Sequence, residues 1–190
     1  MAAGGNAPDP FPSPIPHSLF TYCMKACEIF QQISPSLGTE IIRYLRTDLK
    51  EVYRAAVTTL AQQKKLRPEF VQKKSGDQQI AWILDSLRFK ASEAVGEQIL
   101  QVWLMKAQSP MLITFLDAID IPHDGKGGID SDIPKDLDPV KAVAGVAALL
   151  EKHPAESAAV YLHIFQLQQP GGWPSLSEAM AAEPRLKLGA

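Results

Sequence analysis

Apolar residues recur along most of this chain at the 3.6-residue period of amphipathic helices. Leu19, Tyr22, Cys23, Ala26, Ile29, Phe30 and Ile33 fall near i, i+3, i+4, i+7 spacing and predict a helix from Ser18, which Ser34-Pro35-Ser36 interrupts. Ile41, Leu45, Leu49, Val52, Ala56 and Leu60 then form a stripe at steps of four and three. Arg43, Arg46, Lys50 and Arg54 follow a second row mostly away from it. The two rows predict one helix of about seven turns with its basic side in water.

Arg67-Pro68 and the polar joint Lys73 to Asp77 separate that helix from a stripe of Ile80, Ile83, Leu84 and Leu87, with Trp82 beside it. Val95, Ile99, Val102, Trp103 and Met105 mark the next helix, separate or continuous with the last through Phe89 to Ser92. Ser109-Pro110 reads as an N-cap with proline at the first helical position. Met111, Leu112, Ile113, Phe115, Leu116 and Ile119 then cover nearly the whole circumference, which predicts a buried, central helix. Asp138-Pro139 repeats the cap-plus-proline signal, and Val140, Val143, Ala144, Ala147 and Leu150 form a small-residue face suited to close packing. A helix from Ala155 to Gln169 ends at Pro170-Gly171-Gly172, and Ser175 with Glu178 has the spacing of a capping box for one last short helix. No segment alternates apolar and polar residues, and no period repeats. The expectation is an all-α fold: a single helical domain over 18–190, a bundle or orthogonal array of about seven or eight helices.

Residues 1–17 precede that domain as an extended arm, with prolines alternating from Pro8 to Pro16 in polyproline fashion. Phe11 and Ile15 are its apolar pegs. Two readings stay open for the arm: a solvated leader, or a strap across this domain or a sister subunit.

Composition narrows the function classes. Of 190 residues 46% are hydrophobic and 21% charged, ordinary for a globular core, and the net charge of -2 argues against a dedicated nucleic-acid binder. Charge is segregated: nine Lys and Arg between Arg43 and Lys74 face three acidic residues, whereas seven Asp between Asp117 and Asp138 face Lys126 and Lys135. Cys23 and Cys27, the two cysteines, make no disulfide framework and read as small core residues. With no signal-peptide pattern and no apolar run of about 18 residues, a soluble cytoplasmic protein without membrane contact is expected.

The segment 117–139 gathers the candidate chemistry. A calcium loop of EF-hand type fails, because counting back from Gly125 puts Pro122 at the third ligand position and Ser131 stands at the twelfth. An irregular divalent-metal site from Asp120, His123, Asp124, Asp130 and Asp132 stays open. Gly125-Lys126-Gly127-Gly128 offers an anion-binding turn but lacks the spacing and the preceding strand of a phosphate loop. The fragment His123-Asp124-Gly125-Lys126-Gly127 resembles the His-Asp motif of HD-type phosphohydrolases, with the hydrophobic residue after Asp missing. That resemblance implies a metal held by His123 and Asp124. The family also calls for an upstream His, here only His17 in the arm, and a downstream Asp, for which Asp136 and Asp138 stand close by. His153 and His163 lie ten apart, not at the spacing of a zinc helix; His153 reads as a cap and His163 as a helix-face residue.

Together these features favour a non-enzymatic interaction or scaffolding protein without a cofactor. Its partner would be another protein or its own copy, met through Phe11, Ile15, Arg43, Arg46, Lys50 and Arg54. The alternative is a metal-dependent hydrolase with His123 and Asp124 as catalytic residues and a divalent ion as cofactor. Order in the acidic loop is expected from such an ion or from the basic row.

Overall fold

The computed structural model describes residues 23–129, 134–169 and 172–189, so Phe11, Ile15, His17, Asp130 and Asp132 lie outside the described residues. Ten α-helices follow in order: α1 (Ala26–Gln32), α2 (Pro35–Asp48), α3 (Lys50–Gln63), α4 (Pro68–Gln72), α5 (Gly76–Leu87), α6 (Glu93–Ala107), α7 (Ser109–Ala118), α8 (Pro139–Lys152), α9 (Ala155–Gln168) and α10 (Pro174–Ala182). Among the described residues the only extended pairing is an isolated bridge between His123 and Ile129. The fold is all-α, with somewhat more helices than the seven or eight expected.

One extra element, α4, starts at the Arg67-Pro68 interruption with proline at its first helical position, and another comes from a break that periodicity does not mark. The seven-turn helix divides at Leu49 (φ -127°, ψ 54°) into α2 and α3. Thr47 turns its hydroxyl back onto the carbonyls of Arg43 and Tyr44 at 3.1 and 3.2 Å, a contact that bends helices. Leu49 and Tyr53 still donate their N–H to Leu45 and Leu49 across the break, so the apolar stripe runs on while the axis turns. A 3₁₀ turn at Lys90–Ser92 separates α5 from α6, and α6 and α7 meet at 84° around Gln108.

Other starts also differ from the sequence expectation. Cys23, Met24 and Lys25 precede α1 rather than lie in it. Gln108, not Ser109, caps α7, and the Ser109 hydroxyl donates instead to the Lys126 carbonyl at 2.8 Å. Trp173 occupies the cap of α10, while Ser175 donates to Asp136. Asp138 does cap α8, accepting from Val140 and Lys141 at 2.8 and 3.3 Å.

Two helix starts bond to distant carboxylates, although α2 is capped by its own Ser34, which accepts from Leu37 at 3.2 Å. Glu93 at the head of α6 accepts the N–H groups of Ala26 and Cys27 at 2.7 and 3.0 Å, satisfying donors that a helix start leaves free. Glu156 on α9 accepts both the backbone N–H and, at 2.8 Å, the hydroxyl of Ser34 ahead of α2.

A continuous apolar core joins the helices, with α6 touching α1, α2, α3, α5, α7 and α9. On α7, expected to be buried round nearly its whole circumference, Met111, Leu112, Phe115 and Leu116 are buried but Ile113 is half-buried and Asp117 exposed, and the helix packs on α8 and α6. The most enclosed element is α9, buried without interruption from Ser157 to Gln166. Phe115 meets Tyr161 and Phe165 edge-on at 5.4 Å, and Phe165 meets Trp173 at 5.0 Å. The Trp173 indole N–H donates to the Pro134 carbonyl at 2.9 Å, tying the far end of the acidic loop to this aromatic row.

Candidate functional site

The acidic loop begins where α7 stops. Asp120 takes the left-handed conformation (φ 55°), while Ile121 donates to Leu116 and Asp120 to Asp117. That is the Schellman closure, with Asp in a position glycine or asparagine usually fills. The Asp120 carboxylate points to Lys141 of α8, 3.0 Å away and exposed.

Beyond it the chain folds into a tight hairpin around Asp124. One carboxylate oxygen, Oδ1, accepts the N–H groups of Lys126 and Gly128 at 2.7 and 2.8 Å, and these bonds hold the carboxyl below its usual range. The hairpin rests directly on α7: a Cβ at Gly127 (φ 93°) would lie 2.6 Å from the Leu112 Cβ. His123 Nδ1 accepts the Gly125 N–H at 3.1 Å, so its proton sits on Nε2, which donates to Asp117 at 3.0 Å. Both ring nitrogens are thus engaged within the loop.

Other aspartates are engaged as well: Asp136 accepts from Leu137 and from Ser175, and Asp138 caps α8. Five of the seven loop aspartates have partners that shape the backbone or pair across it. These bonds and Lys141 hold the described part of the loop, and among the described residues the basic row makes no ion pair with it. Among the described residues no three His, Cys, Asp or Glu side chains converge as a metal site would require. Of the proposed ligands, Asp120, His123 and Asp124 are described and have the separate partners given above.

One wall of a cavity of about 360 Å³ is formed by this loop. Gly127, Gly128 and Ile129 face Leu104 and Met105 of α6 and Tyr161, Ile164 and Phe165 of α9 across it. Its polar rim is made of Gln101, Gln168 and Gln169.

A different surface stands out on α8. Most of the face expected to pack inward is turned outward: Val140 is 76% and Val143 59% exposed, Ala144 and Ala147 are exposed with them, and Leu150 alone is half-buried against the core. The buried stripe is Ala142, Gly145, Val146 and Leu149. Both stripes have i, i+3, i+4, i+7 spacing and both are apolar, so periodicity cannot choose between them. The deciding signal is Gly145, where a Cβ would stand 2.7 Å from the Phe115 ring and 2.8 Å from Ile119. Helix α7 packs against the side of α8 that has no side chain there.

Arg43, Arg46, Lys50 and Arg54 are all exposed, and among the described residues none makes an ion pair. They sit on α2 and α3, which pack on α4, α5 and α6. Neither thiol is poised for chemistry. Burial, with Glu28 nearby, pushes Cys23 up to about 11, and burial plus the bond to Glu93 does the same for Cys27.

Comparison of the chain with protein-family models, with curated proteins and with solved structures finds no match. Among the described residues no single helix is long and apolar enough to cross a membrane.

Proposed function

We propose that this chain is a non-enzymatic helical interaction protein and that its docking element is the outer face of α8. The observation that carries the reading is the outward stripe of Val140, Val143, Ala144 and Ala147 on a helix whose opposite stripe already serves the core. Single exposed apolar residues need no explanation, but four on one face of one helix form a patch of the kind that marks association surfaces. The loop supports the same reading. His123 uses both ring nitrogens within the loop and bonds Asp117 of α7, and Asp124 Oδ1 closes the hairpin that rests on α7. The metal-dependent hydrolase alternative has less support, since a ligating or proton-accepting His123 would first have to give up its bond from Gly125.

Replacing Val143 by Cys tests the reading in the full chain. Cys23 and Cys27 stay slow toward alkylation because both are held protonated. The introduced thiol at dilute protein should therefore label rapidly, at a rate near that of a free cysteine. Val140→Glu with Val143→Glu should leave the melting temperature within about 0.5 kcal/mol of equivalent stability. Slow labelling of dilute monomer, or a large loss of stability, would show that the protein's own residues cover the face.

A further inference from the structure

We infer that the cavity between α6, α9 and the acidic loop is a peptide-binding surface, and that its occupant is the proline-rich segment of the same chain, residues 10–16, which lies outside the described residues. The inference is independent of the outer face of α8. No charged side chain lines the cavity; Tyr161 and Phe165 form an aromatic wall, and the amides of Gln101, Gln168 and Gln169 stand at the rim. Proline-rich segments dock in aromatic-lined grooves, because a polyproline backbone is already stiff and keeps its carbonyls free for donors such as these amides. Residues 10–22 include no Asp, Glu, Lys or Arg, so a neutral segment meets a neutral lining and docking buries no unpaired charge. Phe11 and Ile15 are the large apolar side chains that residues 10–16 offer to the space. Met105 at the mouth, 54% exposed, gains the cover it lacks.

The described chain sets out toward this cavity. Helix α1 lies antiparallel to α9: past its C-terminal end Ser34 donates to Glu156, and ahead of its N-terminus the Cys23 thiol donates to the His163 carbonyl at 3.4 Å. Followed upstream from Ser34 to Cys23, the chain thus moves along α9 toward the end where Ile164, Phe165, Gln168 and Gln169 line the cavity. Its course along α6 agrees. Gln31 bonds to Arg88 ahead of α6, while Ala26 meets Glu93 and Gly96 on it, with Gln101 and Leu104 further on. On α9 the helical period puts His163 on the far side from the lining residues, so the segment must also pass round the helix. Half the circumference of a helix 10–12 Å across is about 17 Å. The stretch from Ile15 to Cys23 extends about 25 Å at 3.1 Å per residue, which leaves room for the advance along the axis.

Met105→Cys in the full chain places a thiol at the mouth, while Cys23 and Cys27 stay slow toward alkylation because both are held protonated. Labelling of the new thiol should be slow at every protein concentration, and adding Phe11→Ser with Ile15→Ser should speed it about tenfold. Both serine positions precede every described helix, so the fold that carries the cavity stays intact. A linked segment acts at an effective concentration of order 1 mM, so tenfold protection corresponds to a dissociation constant of about 0.1 mM for the free segment. A synthetic peptide of residues 8–18 at about 1 mM should therefore restore slow labelling to the serine variant, and the same peptide carrying Phe11→Ser and Ile15→Ser should not. Equal rates with and without the serine substitutions would overturn the occupant. Fast labelling in both leaves the cavity open to a small apolar molecule, and slow labelling in both places other residues over it. A peptide without effect would overturn direct docking. Slowing that grows with protein concentration would move the occupant to a second copy and overturn the same-chain reading.

Discussion

Gly145 and Gly127 do opposite things with the same missing atom. At Gly145 the lack of a Cβ admits the Phe115 ring and Ile119 against the α8 backbone. Alanine there forces a buried aromatic out of its place, and overpacking of this kind typically costs about 1–3 kcal/mol. Thermal or urea unfolding of Gly145→Ala should show that loss, and a helix-propensity gain in its place would mean α7 and α8 do not pack as described. At Gly127 alanine meets both a left-handed backbone and the Leu112 side chain, so the hairpin must lift off α7. Asp120 is the reverse case. It is left-handed without being glycine, and its ion pair with Lys141 is exposed and therefore weak. Asp120→Gly should be neutral or stabilising by up to about 1 kcal/mol, whereas a metal-ligand role would make it lose a divalent-dependent rise in melting temperature. None of these roles is legible in the loop's composition. Seven aspartates read as charge, yet most act as hydrogen-bond acceptors for nearby or tertiary partners.

Elements were legible where local signals suffice and not where a partner decides. The start of α8 at Asp138-Pro139, the end of α9 before Pro170 and the buried side of α7 all follow from residues within a turn of the feature. The division of α2 from α3 does not, because Leu49 continues the stripe and the bend arises from Thr47 bonding back to the chain. Nor does the outward turn of α8, whose two apolar stripes are equivalent until α7 is set against one of them. The long-range bonds at the starts of α1 and α2 are further examples, since nothing near Ala26 or Ser34 in sequence points to Glu93 or Glu156. For Glu93, burial alone would raise the carboxyl, but the Cys27 thiol and the N–H groups of Cys27 and Ala26 outweigh it and lower it. Glu93→Ala should therefore fray α1 and cost about 1–2 kcal/mol, the usual range for a lost cap. Hydrogen exchange would locate the change at Ala26 and Cys27. Leu116→Asp, by contrast, puts a carboxylate into the apolar surroundings of a helix packed on α6 and α8, and should cost more than a few kcal/mol. Wild-type stability in that variant would displace α7 from the core.

At the scale of the whole molecule, stability should carry the signature of one buried histidine. His163 lies in the most enclosed helix, 7% exposed, and its Nδ1 has no hydrogen-bond partner among the described residues. Burial pushes its pKa from the ordinary 6.5 down to about 4, with Glu28 opposing only in part. In the unfolded chain the ring takes up a proton as pH falls through about 6.5, while in the folded protein it does not until about 4. The unfolded state therefore binds more protons across that window, and folding stability drops as pH falls. The linkage amounts to about 2 kcal/mol at pH 5 and levels off once pH passes below the folded value. Carboxylates held below their usual range, such as Glu93 and Asp124, add a second loss at still lower pH, because their folded forms resist protonation that the unfolded chain accepts. Urea unfolding from pH 7 to pH 3 should thus show two declines, the first starting while the carboxylates are still ionised. His163→Leu fills a similar volume without the unpartnered nitrogen, so it should shrink the first decline to the smaller part from His153, which burial and Lys152 also lower, leave the second and lose nothing at pH 7. A first decline that survives the substitution undiminished would place its origin elsewhere. A variant much less stable at neutral pH would show that the ring nitrogen has a partner, from the undescribed segments or from solvent, that holds α9 in the core.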